Sequence, residues 1–374
     1  MLAIQKYLME HGLEKAVKRF NLKTREYDNK VLLKYDQLSS PALMALKEVQ
    51  ECRGLILEKG TWKVMSLAFT KFFNSEEGNA HKIDWDTAHV LEKLDGSCIQ
   101  VYYDWNKKEW FAATTGTAEG EGEVNNKMGT TFNQLFWKTL KEKYNVDASL
   151  FAEGYTYVFE LTTPYNIVVK PHGESSASLL TIRKLDTLKE VTFEGLTQIA
   201  GSLGVPRVKS YDLNAKNVGA LLRTFENMVW HDEGYVVVDA NFNRVKIKNP
   251  AYVAVHHLKG KTSEHNIMVI IKTNEIDEFA ATFPDRKDEL YKLKESYDKL
   301  TAELNDTWEE LKLRKPKNIS AEERKKYAQA VFEVCARRNL KNFTGLYFGL
   351  MEGKIPSVEE FMVNYDDKTL YKIL

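Results

Sequence analysis

The sequence predicts an α+β fold, in which an antiparallel-sheet domain is followed by a small all-α domain. Short segments with strand-like alternation, such as Ser97 to Tyr103, dominate the chain up to about residue 257. After that point, apolar residues recur every three or four positions, as on one face of a helix. Because the character of the sequence changes once, we expect one domain over residues 1–257 and a second over residues 258–374.

The first section opens with a helix and continues mainly in strands. Ile4, Leu8, Leu13 and Val17 lie near helical spacing and predict one amphipathic helix. Two strand-like runs on either side of Lys59-Gly60 predict a hairpin. Further strands are predicted at Trp110 to Thr114, Tyr157 to Leu161, Tyr235 to Val238 and Arg244 to Lys248.

The last section carries the signals of a helical bundle. Leucine and aromatic residues between Leu290 and Leu311 form one apolar seam, and Pro316 ends that helix. Ser320 and Ser357 each stand three residues before a glutamate, which is the spacing of a helix-capping box. Each serine therefore predicts the start of another helix.

Charge and cysteine content leave the class of partner open. Lysine plus arginine equals aspartate plus glutamate, 53 against 53, so an RNA partner would need a local basic patch. The three cysteines are far apart and predict a reducing compartment without disulfides. Neither a signal peptide nor an apolar run that could span a membrane is evident, so we expect a cytoplasmic protein. We also expect a monomer.

The segment Lys93-Leu94-Asp95-Gly96 is the most informative one for chemistry. It places a lysine at the end of a predicted strand, just before a tight turn. A neutral lysine amine can attack the α-phosphorus of a nucleotide and expel pyrophosphate, and burial near other cations favours the neutral form. Taken alone, the same tetrapeptide is also typical of a surface hairpin.

Five further segments accompany this lysine in order along the chain: ECRG, KFFN, FE, EGYV and KIK. In the last of them Lys246 and Lys248 share one face of a strand, because strand side chains alternate. Two ammonium groups on one face repel each other unless an anion lies between them, and a polyphosphate is such an anion. Each segment alone has an ordinary interpretation, such as a solvated strand face.

The ordered set resembles the covalent nucleotidyltransferase superfamily and, within it, is most similar to the phage T4-type RNA ligase 1 family. The resemblance covers roughly residues 30–257. It implies an antiparallel, ATP-grasp-like ligase domain and an ATP-dependent RNA ligase. Such an enzyme joins RNA 5′-phosphate and 3′-hydroxyl ends through a lysyl-AMP and an RNA-adenylate, with Mg²⁺ or Mn²⁺ as cofactor. In that family the RNA is often a tRNA nicked in its anticodon loop.

The resemblance also implies a role for each matching residue. Lys93 would be the nucleophile, Glu233 would bind the metal ion, and Tyr252 would act in sealing. Further matches would hold the nucleotide: Tyr35, Arg53, Lys71, Phe73 near the adenine, Glu160 at the ribose, and Lys246 and Lys248 at the triphosphate. In the helical tail Asp277 would hold a metal ion.

One position departs from the family's pattern, and two other functions remain open. The family usually has a basic residue just before a glycine that follows the nucleophile, whereas here Thr115 precedes Gly116. A DNA ligase or a capping guanylyltransferase would share the motifs, but those enzymes usually continue into a β-barrel rather than helices. A non-catalytic RNA-binding relative would be expected to lose Lys93 or the paired lysines.

Overall fold

The structure is a computed structural model, and it describes residues 1–125, 127–166, 169–213, 215–253, 264–273, 276–277, 286–314 and 321–374. The chain separates into two compact units. The first comprises Met1–Gln37 and Pro41–His256, and the second comprises Leu38–Ser40 and His257–Leu374. Each unit is described by itself below.

The N-terminal helical segment is two helices rather than the single predicted one. Helix α1 (Ala3–His11) ends at Gly12, whose φ of +80° lies outside helical space, and α2 (Leu13–Phe20) begins directly after it. Both helices bury apolar side chains against a four-stranded sheet in the order β1-β2-β3-β4. Its elements are β1 (Leu22–Glu26), β2 (Lys30–Tyr35), α3 (Pro41–Met44), α4 (Lys47–Glu51), β3 (Arg53–Glu58) and β4 (Val64–Ser66). Strands β3 and β4 pair antiparallel, which confirms the predicted hairpin.

A second sheet has the order β10-β9-β7-β8 and is antiparallel throughout. Ile99 and Val101 face a core shared with α5 and α6, as the alternation predicts. The opposite face of the same strand is buried as well, because Gln100 and Tyr102 pack toward the first sheet. The elements are β7 (Ser97–Asp104), β8 (Glu109–Ala113), α5 (Phe132–Tyr144), β9 (Tyr155–Thr162), β10 (Ser176–Lys184) and α6 (Phe193–Leu203).

The third sheet has the order β11-β6-β12-β13-β5. Lys93 follows its strand β6, Glu233 precedes its strand β12, and Lys246 and Lys248 lie on its strand β13. It is antiparallel except for the short pairing of β13 with β5. One face packs on α7 through a small apolar cluster. The elements are β5 (Phe73–Asn74), β6 (His89–Glu92), β11 (Ser210–Tyr211), α7 (Val218–Thr224), β12 (Gly234–Val238) and β13 (Arg244–Lys248).

The second unit is helical in the part that the structure describes. Leu290, Leu304 and Leu311 are fully buried along one helix, so the predicted seam forms a core. Ser357 accepts a hydrogen bond from the Glu360 amide, as predicted, whereas Pro316 and Ser320 lie outside the described residues. The helices are α8 (Glu264–Thr273), α9 (Lys287–Lys312), α10 (Ala321–Arg337), α11 (Thr344–Glu352), α12 (Val358–Asn364) and α13 (Asp367–Ile373). Within the described ranges, no helix combines the length and the apolar composition that crossing a membrane requires.

Candidate active site

The first unit contains a cavity of about 560 Å³ to which all three of its sheets contribute. Four of the predicted site residues line it: Arg53, Lys93, Glu160 and Lys246. Thr115, the departure from the family's pattern, lies on the same wall. Lys34 and Arg244 add two further cations, so the wall does not depend on a basic residue at position 115 for positive charge.

Lys93 lies one residue beyond the end of β6 and faces Glu233. Its backbone N–H donates to the Gly234 carbonyl at 2.9 Å, which continues the pairing of β6 with β12. Its ammonium group lies 2.6 Å from Oε1 of Glu233, and both side chains are largely buried. The motif strands therefore bring together two residues that are 140 positions apart in the sequence, since 233 − 93 = 140.

Asp95 and Gly96 hold the chain in place just after Lys93. The buried Asp95 carboxylate accepts hydrogen bonds from the backbone N–H groups of Val169 and Lys170, at 2.8 and 2.6 Å. A Cβ on Gly96 would meet the Leu161 carbonyl oxygen at 2.5 Å. Glycine is therefore required there by close approach to β9, and not by a left-handed backbone angle.

Glu160 lies in the cavity with a strongly perturbed carboxyl group. Burial raises the pKa of Glu160 to about 7, and the charges of Glu233 and Asp95 act in the same direction. Lys93 and Arg53 oppose this shift. Two carboxylates, Glu160 and Glu233, thus stand around one lysine in a poorly solvated place. Carboxyl groups with strongly perturbed pKa values are common at functional sites.

Arg53 presents an unused donor in this setting. Its Nη1 is buried and, within the described part of the chain, has no hydrogen-bond partner. Its guanidinium lies over the rings of Phe69 and Phe72, at 5.8 and 5.4 Å from their centroids. A buried guanidinium N–H without an acceptor costs free energy unless a ligand satisfies it. Phosphate and ribose oxygens are acceptors of the kind that Arg53 lacks.

Strand β13 contributes a row of three cations to this region. Arg244, Lys246 and Lys248 alternate with the buried Val245 and Ile247, so they share one strand face. Burial lowers the pKa of Lys246 to about 7, with further lowering by the neighbouring Lys248, Lys93 and Lys71. An anion bound beside Lys246 would therefore favour its ammonium form.

Tyr35, Lys71 and Phe73 form a separate cluster beside the cavity. The Lys71 ammonium lies 4.8 Å from the centroids of both rings. Phe73 is 1% exposed and packs in the core of the first sheet, so it does not line the cavity. Phe72 and Phe69 line it instead. Within the KFFN motif the structure therefore places the first phenylalanine on the cavity wall and the second in the core, and the role of Phe73 near the adenine stays a prediction.

The remaining predicted residues lie at different places. Tyr252 is buried and hydrogen-bonded to Asp95, and burial together with Glu233 and Asp95 raises the pKa of its hydroxyl well above the ordinary value. Lys248 lies beside Lys246 but is not on the cavity wall. Asp277 belongs to the second unit, where its carboxylate accepts a hydrogen bond from the Tyr291 hydroxyl.

Sequence reasoning missed Arg244 and the network that holds it. Its guanidinium makes two hydrogen bonds to Glu190, at 2.7 and 2.6 Å, and Arg183 binds the same carboxylate. Alternation with Lys246 was a usable signal for Arg244. Glu190 gave no such signal, because it lies 54 residues away from its partner in the sequence.

Comparison with known proteins shows which family this chain resembles. A model of the RNA ligase family, T4 type 1, matches residues 51–252. The RNA ligase of Rhodothermus phage RM378 is 27% identical over 330 residues, covering 73% of this chain and 74% of that protein. A protein of Autographa californica nuclear polyhedrosis virus, provisionally named a bifunctional polynucleotide kinase/RNA ligase, is 27% identical and covers 77% of this chain, which spans 42% of that protein.

Among solved structures, an archaeal ATP-dependent RNA ligase in its form 2 is similar at 14% identity and a TM-score of 0.45, over 78% of each chain. The family match spans the segment from the ECRG motif to Tyr252, which is more than half of the chain. It contains the whole cavity wall except Lys34, from Arg53 to Lys246. The chain therefore belongs to the RNA ligase family.

Proposed function

We propose that this protein is an ATP-dependent RNA ligase that carries AMP on Lys93. One observation carries the proposal: Lys93 faces Glu233 at 2.6 Å in a cavity whose other polar residues include Arg53, Glu160 and Lys246. A nucleophile, carboxylates and cations are the groups that phosphoryl transfer requires, because its barrier is lowered mainly by positioning and charge stabilisation.

In the first step the Lys93 ammonium gives a proton to the Glu233 carboxylate 2.6 Å away, and the resulting amine attacks the α-phosphorus of ATP. A phosphorus–nitrogen bond forms, the bond to the oxygen that bridges the α- and β-phosphorus atoms breaks, and pyrophosphate leaves. The proton that the nitrogen then loses passes to water. Lys246 and Lys248 would neutralise the triphosphate and then the leaving pyrophosphate, and the free Nη1 of Arg53 would donate to a phosphate or ribose oxygen.

In the later steps AMP passes to RNA and is then released. A 5′-phosphate of RNA displaces Lys93 from the adenylate, which gives a 5′–5′ linked RNA-adenylate. A 3′-hydroxyl then attacks the RNA phosphate and expels AMP. Tyr252, buried against Asp95 and near Glu233, is a positioning residue for these steps in this proposal. Both RNA ends must meet over one cavity, so orientation supplies much of the rate.

Glu160 on the cavity wall and Glu233 beside Lys93 are carboxylates that fit a divalent cation such as Mg²⁺ or Mn²⁺ and would hold it. Burial raises the pKa of Glu160, and a bound dication would favour its ionised form. Among the described residues, no group of three or more acidic, His or Cys side chains stands ready for a metal. Mg²⁺ suits such a sparse site, because it is often bound by one or two carboxylates and substrate phosphates. The cation supplies charge neutralisation at the phosphates.

Incubation with ATP and Mg²⁺ tests the first step. We expect intact-mass measurement to find one AMP on the protein, none on the variant Lys93→Ala, and a normal adduct on Lys184→Ala, which removes an exposed strand lysine outside the cavity. An adduct that persists in Lys93→Ala, or its absence from the wild-type protein, would falsify the assignment.

Matched oligonucleotides test the acceptor. We expect RNA with 5′-phosphate and 3′-hydroxyl ends to be joined in preference to DNA of the same sequence, because the family match is to RNA ligases. Equal joining of DNA would favour the DNA-ligase alternative, and GMP transfer from GTP would favour a capping enzyme. Comparing a tRNA nicked in its anticodon loop with a plain single strand tests tRNA repair as the role.

We also propose that residues 1–257 form the adenylyltransferase domain and that residues 258–374 contribute to the choice of RNA. Support for the first part is that the cavity and the family match both lie within that range. We propose Asp277 as a metal ligand of the second domain. Among the described residues, its carboxylate accepts a hydrogen bond from the Tyr291 hydroxyl. Monomeric enzyme in the cytoplasm is the expected form.

A further inference from the structure

A tight turn just before Glu233 presents two aromatic side chains at its corner. The Asp232 N–H donates to the Val229 carbonyl at 3.0 Å, which closes a four-residue turn with Trp230 and His231 at its centre. Trp230 is 49% exposed, although it is the largest type of side chain. Its ring contacts that of His231, with centroids 5.2 Å apart.

This turn is held in place by one buried amide. The Asn249 side chain donates to the carbonyls of Val229 and Asp232, at 3.1 and 3.0 Å. Asn249 is 1% exposed, and its backbone N–H binds the Glu233 carbonyl at 2.9 Å. The turn is therefore fixed to the end of β13, directly after Lys248, and Trp230 is presented from a braced backbone.

The turn also lies close to the candidate nucleophile. Trp230 and Glu233 are three positions apart in the sequence, so their Cα atoms are at most about 11 Å apart. Asp232 forms a 2.6 Å ion pair with Lys170, whose backbone N–H in turn binds Asp95 of the nucleophile motif. The turn is therefore linked through Lys170 to the Asp95 carboxylate, two residues after Lys93.

The fold itself gives no packing reason for a tryptophan here. Within the described residues, Trp230 belongs to none of the apolar clusters that form the cores of the first unit. Its exposed ring keeps apolar surface in water, which is unfavourable at roughly 25 cal/mol for each Å². A rigid, exposed aromatic ring beside a phosphate-handling site has the properties of a stacking platform for a nucleobase.

Ion pairs next to the turn compensate its negative charges. The Asp232 carboxylate is paired with Lys170, and the Glu233 carboxylate is paired with Lys93, so neither stands as an uncompensated negative charge. We propose that Trp230 stacks on a nucleobase at the RNA end that is brought to Lys93. This inference rests on the proposed RNA ligase function and names a residue that binds its RNA rather than its nucleotide.

Binding and adenylylation can be measured separately to test the proposal. A fluorescent single-stranded RNA with a 5′-phosphate would be titrated with the wild-type protein, Trp230→Ala, Trp230→Phe and the control Leu222→Ala, which removes another half-exposed apolar side chain nearby. We expect Trp230→Ala to weaken RNA binding by about tenfold, since stacking on one base contributes about 1–3 kcal/mol. Trp230→Phe and Leu222→Ala should bind within about threefold of wild type.

AMP transfer to the protein should be unchanged in all three variants, because Trp230 does not line the cavity. RNA with abasic nucleotides at the end should bind wild type and Trp230→Ala equally. Wild-type RNA affinity in Trp230→Ala would overturn the proposal, and would mean that the ring serves a protein partner or none. A folded Trp230→Phe as weak as Trp230→Ala would also overturn it. Failure of wild-type adenylylation would instead count against the proposed function, while leaving the binding comparison readable.

Discussion

Two lysines of the first unit, Lys30 and Lys246, are withdrawn from water in opposite electrostatic settings. Lys30 is fully buried, with Asp104 at 2.6 Å and Glu119 at 2.8 Å from its ammonium. Its Nζ also lies 4.3 Å from the centroid of the Phe111 ring. Lys246 has Lys248, Lys93 and Lys71 as its charged neighbours, opposed by Glu77, and its pKa is lowered to about 7 by burial and by those lysines.

The difference shows how a structural lysine can be told from a ligand-binding one. Around Lys30 the charge is already compensated, so the pocket is complete without a ligand. Around Lys246 most of the charged neighbours named above are cations, so an anion would improve the energy of the site. Burial alone does not make this distinction, and the sign of the neighbouring charges does.

The largest effect on the free energy of unfolding is expected from Lys30→Met, which removes the cation that Asp104 and Glu119 share. It would leave Asp104 buried without its cation, and removing one partner of a buried pair typically costs about 3–5 kcal/mol. Urea unfolding should show a loss of that size, with adenylylation retained in the folded protein. Lys59→Met is the matched control, because its partner Glu26 is exposed and such pairs contribute about 1 kcal/mol or less. Equal losses in both variants would contradict the comparison.

Lys246→Met should do the reverse, with activity lost and stability kept. The rate of AMP transfer to Lys93 should fall by a factor of about 100 or more, which corresponds to about 3 kcal/mol of transition-state stabilisation. The free energy of unfolding should stay unchanged or rise, because a source of like-charge repulsion is removed. Lys184→Met, on an exposed strand position, should change neither quantity. A clear destabilisation without loss of rate would make Lys246 a structural residue.

A smaller effect is expected in the pH dependence of ATP binding. The pKa of Lys246 is about 7 in the free protein, so its ammonium form is lost as the pH rises above that value. A bound triphosphate favours the ammonium form; binding therefore takes up a proton, and affinity falls with rising pH, by at most about tenfold for each pH unit. Glu160, whose pKa is also about 7, gains negative charge over the same range and acts in the same direction when the titration is made without a divalent cation.

Calorimetric titration with ATP between pH 6 and pH 9 measures this dependence (both limits being about one to two units from the pKa values concerned). We expect Lys246→Arg to flatten most of the profile, and Lys246→Arg combined with Glu160→Gln to flatten the rest. A wild-type dissociation constant that does not change over this range would contradict the prediction that Lys246 takes up a proton when ATP binds.

Much of the sheet architecture could be predicted from local pattern. The hairpin at Lys59-Gly60 and the strands that carry Glu160 and Lys246 follow from alternation and turn residues, which act over a few positions. The break at Gly12 was missed because apolar spacing continues across it, while the backbone angle that ends the helix does not show in that spacing.

The site was predictable as a set of motifs and less so as a set of contacts. Nothing in KFFN decides which phenylalanine faces the cavity, since that depends on how β5 pairs with β13. The Asp95 contacts with Val169 and Lys170 join residues more than 70 positions apart, and no local pattern announces them. The acidic loop containing Glu119 and Glu121 is likewise held by distant residues, Lys30 and Arg25.

The Asn249 amide has a consequence for protein engineering. Residues 229–249 contain the turn, both strands of the β12–β13 hairpin and the Asn249 side chain that joins the two ends of this segment. The segment therefore contains the contacts that hold its own ends together. Gly234 lies inside it at a φ of +126°, where a Cβ would come within 2.2 Å of the Ile247 carbonyl oxygen across the hairpin. Chimeras between related ligases should therefore exchange this stretch whole, with crossover points before Val229 and after Asn249.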